Sequence, residues 1–387
     1  MKSGDAEGSN DRLTAARNLA YARRIDGQYA EAARLVREVL GVQRRVLGEE
    51  HPDTLASATD LASSLSCQGK HSDAEGINRE VLGARRRVLG DEHPDTLESA
   101  HNLASSLGDQ KKYAEAERIN RRVLGARRRV LGEEHSDTLI SAGNLASALW
   151  GQGKHAEAEV IEREVLRVQR RVLGEEHPHT LTSANSLAAS LSGQGKHAEA
   201  ERINRGVLGV RRRVLGEDHV STLASASYLA GSLSEQGKYV EAEQINRDVL
   251  GARRRVLGEE HPLTLTSASN LASSLCDQKK HAEAEQMYHA VLATRRRLLG
   301  PTHPDTRLTE SNLAILQSRR RVLNRSIKNG AHGRTAAPAR PALYPAEAET
   351  RARVAEAELM AMLALDDDKP KGNPKGKAGK AGKPGRP

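Results

Sequence analysis

The chain has 387 residues, of which none is Phe, one is Trp and seven are Tyr. Aromatic side chains normally bury about 150–250 Å² each, so this composition disfavours the single deep core of a large α/β enzyme and favours thin layers of Leu, Val, Ile and Ala. The formal net charge is +9, but residues 319–387 hold 16 Lys and Arg against 7 Asp and Glu, so the rest of the chain is balanced.

The chain begins with a polar segment, residues 1–11, that we expect to be disordered. This segment lacks the apolar stretch of a secretion signal, and no run approaches the roughly 18 apolar residues of a membrane span. Cys67 and Cys276 match no metal or redox spacing, which favours a reducing compartment. We therefore expect a soluble cytoplasmic protein, and the Lys-rich C-terminus leaves a nuclear location open.

One histidine recurs every 42 residues through most of the chain. The seven positions are His51, His93, His135, His177, His219, His261 and His303. A fixed period of this length is typical of a solenoid, in which each repeat unit buries its apolar face against its neighbours. The sequence therefore predicts an all-α fold of the α-solenoid class.

Apolar residues recur at helical spacing in two stripes within each repeat unit. After His93, the first stripe runs from Leu97 to Leu107 and the second from Ala116 to Val130. Gly then ends the second helix, while the loop His and the Pro after it fit the N-cap and the first helical position of the next helix. The Leu-Ala step of the first helix occurs eight times. Residues 12–318 are thus predicted to form seven helix pairs and a capping helix.

These motifs resemble the tetratricopeptide repeat in the 42-residue form found in kinesin light chains. The resemblance rests on the Asn-Leu-Ala-x-x-Leu step, the Gly-Lys-Tyr-x-Glu-Ala-Glu turn of residues 237–243, and the Val-Leu-Gly-x-x-His-Pro-x-Thr-Leu link. It covers residues 12–318. It implies a right-handed superhelix of antiparallel helix pairs that recognises proteins on a concave surface lined by the first helices.

Two features depart from that family. Its second helix usually carries an aromatic or large apolar residue at a place that here holds Asn78, Asn120, Glu162, Asn204 and Asn246, with Tyr288 conforming. We expect looser or polar packing there, and a higher melting temperature when a ring replaces Asn120 or Asn204. The long heptad-rich segment with which kinesin light chains engage the motor heavy chain does not precede the repeats, so binding to that chain is not expected.

Polar residues on the first helices break the repeat, and the resemblance places them in the groove. In the family, an Asn just before the Leu-Ala step often hydrogen-bonds the backbone of a bound peptide. The groove candidates are Asn18, Asp60, Glu98, His101, Asn102, Ile140, Asn144, Trp150, Asn185, Tyr228, Asn270 and Asn312. Their neutral character predicts an extended, weakly charged protein segment as the partner, with Trp150 either anchoring it or packing locally.

Several other recurring residues have structural interpretations. Arg triplets such as Arg85–Arg87 lie at the ends of second helices, where they suit the helix dipole, with an anionic partner on the convex face as the alternative. Glycines inside the second helices, such as Gly41 and Gly209, indicate close helix approach or a gentle bend. Histidines repeated once per layer cannot converge on one metal ion, and no nucleophile–base arrangement stands out, so no catalytic activity and no cofactor are expected.

The C-terminal region changes composition. We predict a linker over residues 319–345, an Ala-rich helix over 346–366 and a disordered Lys/Gly/Pro tail over 367–387. The basic tail residues are Lys369, Lys371, Lys375, Lys377, Lys380, Lys383 and Arg386. Such a tail favours weak binding to nucleic acid or another anionic surface, and it also fits a purely solubilising role.

Two functions follow from the sequence. The first is a non-catalytic protein–protein interaction scaffold or adaptor that binds an extended peptide segment in its concave groove. The alternative is a nucleic-acid- or anionic-surface-associated protein that acts through its basic C-terminal tail.

Overall fold

The computed structural model describes residues 4–328, with side chains for 12–322, and this part of the chain contains fifteen α-helices and no strand. The helices are α1 Gly4–Ile25, α2 Tyr29–Leu47, α3 Pro52–Cys67, α4 His71–Leu89, α5 Pro94–Asp109, α6 Tyr113–Leu131, α7 Ser136–Gly151, α8 His155–Val172, α9 Pro178–Gly193, α10 His197–Leu215, α11 Val220–Glu235, α12 Tyr239–Leu257, α13 Pro262–Asp277, α14 His281–Leu299 and α15 Pro304–Lys328. Each odd-numbered helix pairs with the even-numbered helix after it, and α15 follows the last pair. The predicted α-solenoid is confirmed.

The same local chemistry starts each first helix from α3 onward. His51 is the N-cap of α3, and its Nδ1 accepts a hydrogen bond from the backbone N–H of Asp53 at 3.2 Å. The other six loop histidines make the equivalent bond. An imidazole nitrogen accepts only when it carries no proton, so the caps need neutral rings. The predicted capping role of these histidines is confirmed.

The core is a stack of thin aliphatic layers. One Leu per layer has no more than 1% of its surface exposed, at Leu107, Leu149, Leu191, Leu233 and Leu275. Successive odd-numbered helices also approach one another more closely than successive even-numbered helices do. The odd-numbered helices therefore lie on the inner, concave side of the superhelix, as the resemblance implied.

The first and last helices extend beyond the predicted boundaries of the array. α1 begins at Gly4, inside the segment 1–11 expected to be disordered, and α15 continues to Lys328, inside the predicted linker 319–345. Neither extension contains a proline, and residues 319–323 are mostly good helix formers. The predictions for 329–345, 346–366 and 367–387 fall outside the described residues. None of the described helices is long and apolar enough to cross a membrane.

The glycines inside the second helices do not mark close helix approaches. A Cβ atom built at Gly41 or Gly209 would meet no atom within 4 Å, and at Gly83 it would meet only Arg87 Nη1 at 3.7 Å. Close approach was thus the wrong interpretation at these positions.

Candidate functional site

The Arg triplets are occupied by contacts within the array. The first Arg is buried: Arg211 donates from Nη1 to the Ser221 carbonyl and to Ser225 Oγ, both at 2.9 Å. The second pairs with the following loop, as Arg86 does with Asp91 at 2.9 Å. The third reaches the preceding loop, as Arg87 does with Glu50 at 2.7 Å. In four of the five triplets every position has such an internal partner, which supports the structural interpretation.

The concave surface contains a cavity of about 230 Å³ between α5, α7 and α9. Four of the groove candidates line it: His101, Ile140, Asn144 and Trp150. The wall is completed by residues from the second helices α6 and α8, among them Tyr113 and Gln169. The structure therefore brings together candidates from two successive repeat units at one site.

The remaining groove candidates lie elsewhere on the first helices. Asp60 is paired with Arg17 at 2.8 Å, Glu98 is exposed beside Arg85 at 3.2 Å, and Asn185 is buried and donates to Ser225 Oγ at 3.3 Å. Asn18 is exposed and Asn312 is buried. Asn102, Tyr228 and Asn270 are half-buried and do not line the cavity.

A neutral imidazole forms part of the cavity wall. His101 Nδ1 lies 2.9 Å from Asn144 Nδ2, and because the amide nitrogen can only donate, Nδ1 accepts and the ring proton resides on Nε2. Burial lowers the pKa of His101 to about 4, and the charge of Arg127 adds to the shift. The ring is thus uncharged near neutral pH.

Gln169 supplies a buried polar group to the same cavity. Only 5% of its surface is exposed, and its Oε1 has no hydrogen-bond partner among the described residues. At the equivalent place in the neighbouring units, Arg127 and Arg211 donate to the next first helix. Replacement of that Arg by Gln shortens the side chain and removes its positive charge from the wall.

Three further features shape the cavity. Gly143 lies in its wall, where a Cβ atom would meet nothing within 4 Å. Tyr113 packs so closely on Gly151 that a Cβ atom there would lie 2.5 Å from the ring. Trp150 is half-buried, with its ring 5.6 Å from that of His155 and its Nε1 donating to the Ala189 carbonyl at 3.4 Å. The indole is therefore packed locally and also lines the groove.

Sequence reasoning missed Tyr113, Gly143, Gln169 and His179 in this wall. The signal that could have found Gln169 is a break in the repeat, since five other units have Arg at this place. The groove candidates all lie on first helices, whereas Gln169 reaches the cavity from a second helix. Among the described residues, no group of His, Cys, Asp and Glu is arranged to hold a metal ion.

Comparison with solved structures gives two groups of similar proteins. A Podosopora anserina protein described as a kinesin light chain with nearly identical TPR-like repeats is 30% identical, over 52% of this chain and 96% of that one, with a TM-score of 0.46. A point variant of the same protein gives 29% identity, 53% and 96% coverage, and a TM-score of 0.47. The apo form of RapI matches 74% of this chain and 98% of its own, at 11% identity and a TM-score of 0.54, which shows a shared fold.

Family comparison gives the assignment. No curated protein matches the chain. Sequence models of the tetratricopeptide repeat match residues 11–87, 95–171, 180–221, 222–263 and 264–305, which together make up more than half of the sequence. The repeat period, the paired helices and these matches agree, and the chain belongs to the tetratricopeptide repeat family.

Proposed function

We propose that this protein-interaction scaffold binds an extended, uncharged protein segment in its concave groove, with the cavity between α5, α7 and α9 as the main contact. The family supports a protein partner. The observation that carries the finer proposal is the cavity itself, because Trp150 lies there at a place where the other units from the second onward carry only Ser, Gly or Cys, and Gln169 lies at a place where five other units carry Arg. A requirement of the fold would recur in every unit, whereas a requirement of one partner need not.

The character of the cavity wall supports an uncharged ligand. Apart from Asp109, which accepts a hydrogen bond from Ser66 Oγ, the wall consists of hydroxyl, amide, imidazole, aromatic and aliphatic groups. No Lys or Arg lies in it to neutralise an acidic residue. A buried charge without a partner is costly, so charged side chains of a ligand are expected to lie outside the cavity.

The test is selection from a library of random 12-residue peptides displayed on phage against the full chain. Selected peptides are expected to lose about tenfold or more in affinity, measured by fluorescence anisotropy, when Asn144→Ala or Trp150→Ala removes a wall group. Gly143→Leu should also abolish binding by filling the cavity. The matched control is Val130→Ser, which changes a half-exposed residue of α6 outside the wall. Equal affinity for the wall variants and the control would contradict the proposal.

A second candidate function rests on the charge distribution of the sequence. All of the net charge of +9 lies in residues 319–387, and residues 369–387 contain seven basic and no acidic residues. Nucleic acid binding through such a segment depends strongly on salt. A DNA or RNA mobility shift that weakens with salt and disappears when residues 369–387 are removed would support it, and a shift that survives this deletion would exclude the tail as its cause.

A further inference from the structure

The two ends of the described array meet. His261, at the start of the seventh helix pair, places Nε2 3.3 Å from the carbonyl oxygen of Ile25 in the turn of the first pair. His303, at the start of α15, places Nε2 3.2 Å from the carbonyl oxygen of Cys67 in the turn of the second pair. Since Nδ1 of each ring already accepts its capping bond, Nε2–H is free to donate across this contact. One superhelical turn therefore takes six helix pairs.

Proline and glycine pack together beneath each of these hydrogen bonds. A Cβ atom at Gly27 would lie 2.8 Å from Pro262 Cδ, and one at Gly69 would collide with Pro304. The equivalent glycines of later turns, Gly153, Gly195 and Gly237, would meet nothing within 4 Å.

Lysine occupies the same turn position in two other units. Lys111 and Lys279 have φ values of 61° and 62°, close to the 73° of Gly69. The turn itself thus accepts a side chain. Glycine is required by space only at the two turns that the other end of the array covers.

Burial at the contact agrees with this geometry. Among the seven capping histidines His303 alone is buried, with 6% of its surface exposed. Burial also raises the pKa of Tyr29, at the start of α2, and the negative charge of Asp305 in α15 adds to that rise. The loops that contain His261 and His303 therefore contact the turns of the first two helix pairs, which lie far away in sequence.

We propose that the turns of Gly27 and Gly69 and the loops of His261 and His303 form a clasp that closes the superhelix and couples its two ends. A solenoid normally has contacts only between neighbouring units, so its ends open independently. The clasp adds a contact between units six apart, and it fixes the curvature of the concave surface. The cavity between α5, α7 and α9 lies in the middle of this closed turn, so its width depends on the clasp.

The experiment compares two double variants of the full chain. Gly27→Lys with Gly69→Lys introduces, at the clasp, the residue that the third and seventh units already carry in this turn. Gly195→Lys with Gly237→Lys makes the same change where the structure has open space, so both variants have the same backbone cost. Amide hydrogen exchange in segments 259–265 and 301–307, which neither variant alters, is the first measurement, and the radius of gyration from X-ray scattering is the second.

The clasp variant is expected to speed exchange in both segments by on the order of tenfold relative to the control variant, and to increase the radius of gyration with helicity unchanged. Equal exchange and equal dimensions in the two variants would overturn the proposal. So would a dependence of the wild-type exchange on protein concentration, because the contact would then lie between two copies. A third measurement, the affinity of a selected groove peptide, rests on the proposed function; its failure alone would contradict the link to the groove and leave the clasp intact.

Discussion

Two interfaces of the array differ in their hydrogen bonds at equivalent positions. One lies between α8 and α9, and the other lies between α10 and α11. In the second, Asn204 donates to Ser232 Oγ at 2.8 Å, and Arg211 donates to Ser225 Oγ at 2.9 Å. In the first, Glu162 and Gln169 occupy those two places, and each has a buried oxygen atom without a hydrogen-bond partner among the described residues.

The difference shows where the array departs from the best packing that its own repeat offers. Asn204 Oδ1 is also buried without a partner among the described residues, but the hydrogen bonds that Asn204 and Arg211 donate to α11 have no counterpart from Glu162 or Gln169. Buried polar groups that lose such bonds cost free energy, and the interface without them borders the cavity of the groove. We infer that the α8–α9 interface is the less stable of the two. This less stable interface lies beside the cavity that the proposed function requires.

Removal of the buried Arg211 should give the largest loss of stability. Arg211→Ala leaves the Ser221 carbonyl and Ser225 without their charged donor, which should lower the free energy of unfolding by about 3 kcal/mol. Gln169→Ala removes a group that already lacks one hydrogen-bond partner, so we expect the free energy of unfolding to fall by only about 1 kcal/mol or less. Chemical denaturation followed by circular dichroism measures both. Equal losses would show that the two interfaces do not differ in the way that the hydrogen bonds indicate.

A ring at Asn204 is the next test. The structure gives this residue a buried hydrogen bond to Ser232, so Asn204→Tyr should lower the free energy of unfolding by about 2 kcal/mol through lost bonding and overpacking. This replaces the expectation from the sequence that a ring raises the melting temperature.

The matched control for that change comes from the last unit. Tyr288 is buried there, and Leu316 stands at the place of Ser232 and belongs to the same apolar cluster. Asn204→Tyr combined with Ser232→Leu copies this pair and should recover much of the loss. If the double variant is less stable than Asn204→Tyr alone, the pairing of these positions is wrong.

Glu162 should make stability depend on pH in a defined direction. Burial raises its pKa to about 8, against a smaller opposing effect of Ser190. An unfolded Glu has a pKa of about 4.3, so between these values the folded state binds more protons, and stability falls as the pH rises. Glu162→Asn copies Asn204 and should stabilise by on the order of 2 kcal/mol at pH 7. The gain should be small at pH 4.5 and larger at pH 8. A gain independent of pH would show that the charge is not its cause.

The fold could be predicted from the sequence because the pattern of one helix pair recurs seven times. The helix pairs and the histidine N-caps follow from features that recur. The resemblance to the tetratricopeptide repeat implied the concave placement of the first helices. Asn144 and Trp150, which line the cavity, lie on the first helices, where the sequence placed all of the groove candidates, whereas Gln169 reaches the groove from a second helix. The contact between Gly69 and Pro304 could not be predicted, since it depends on the number of units in a superhelical turn, which no local pattern contains.

The smallest expected effect concerns Gly209 of α10, whose place in α8 is taken by Arg167. A Cβ atom at Gly209 would meet nothing within 4 Å, and its φ is helical. Gly209→Ala should therefore raise the free energy of unfolding by about 1 kcal/mol, because Gly in a helix interior loses more backbone entropy than Ala. The contrasting variant is Gly216→Ala at the end of the same helix, where φ is 90° and a side chain adds strain, so the free energy of unfolding should fall. Thermal and urea unfolding of the two variants measure the contrast. Destabilisation by both would contradict the open space that the structure shows at Gly209.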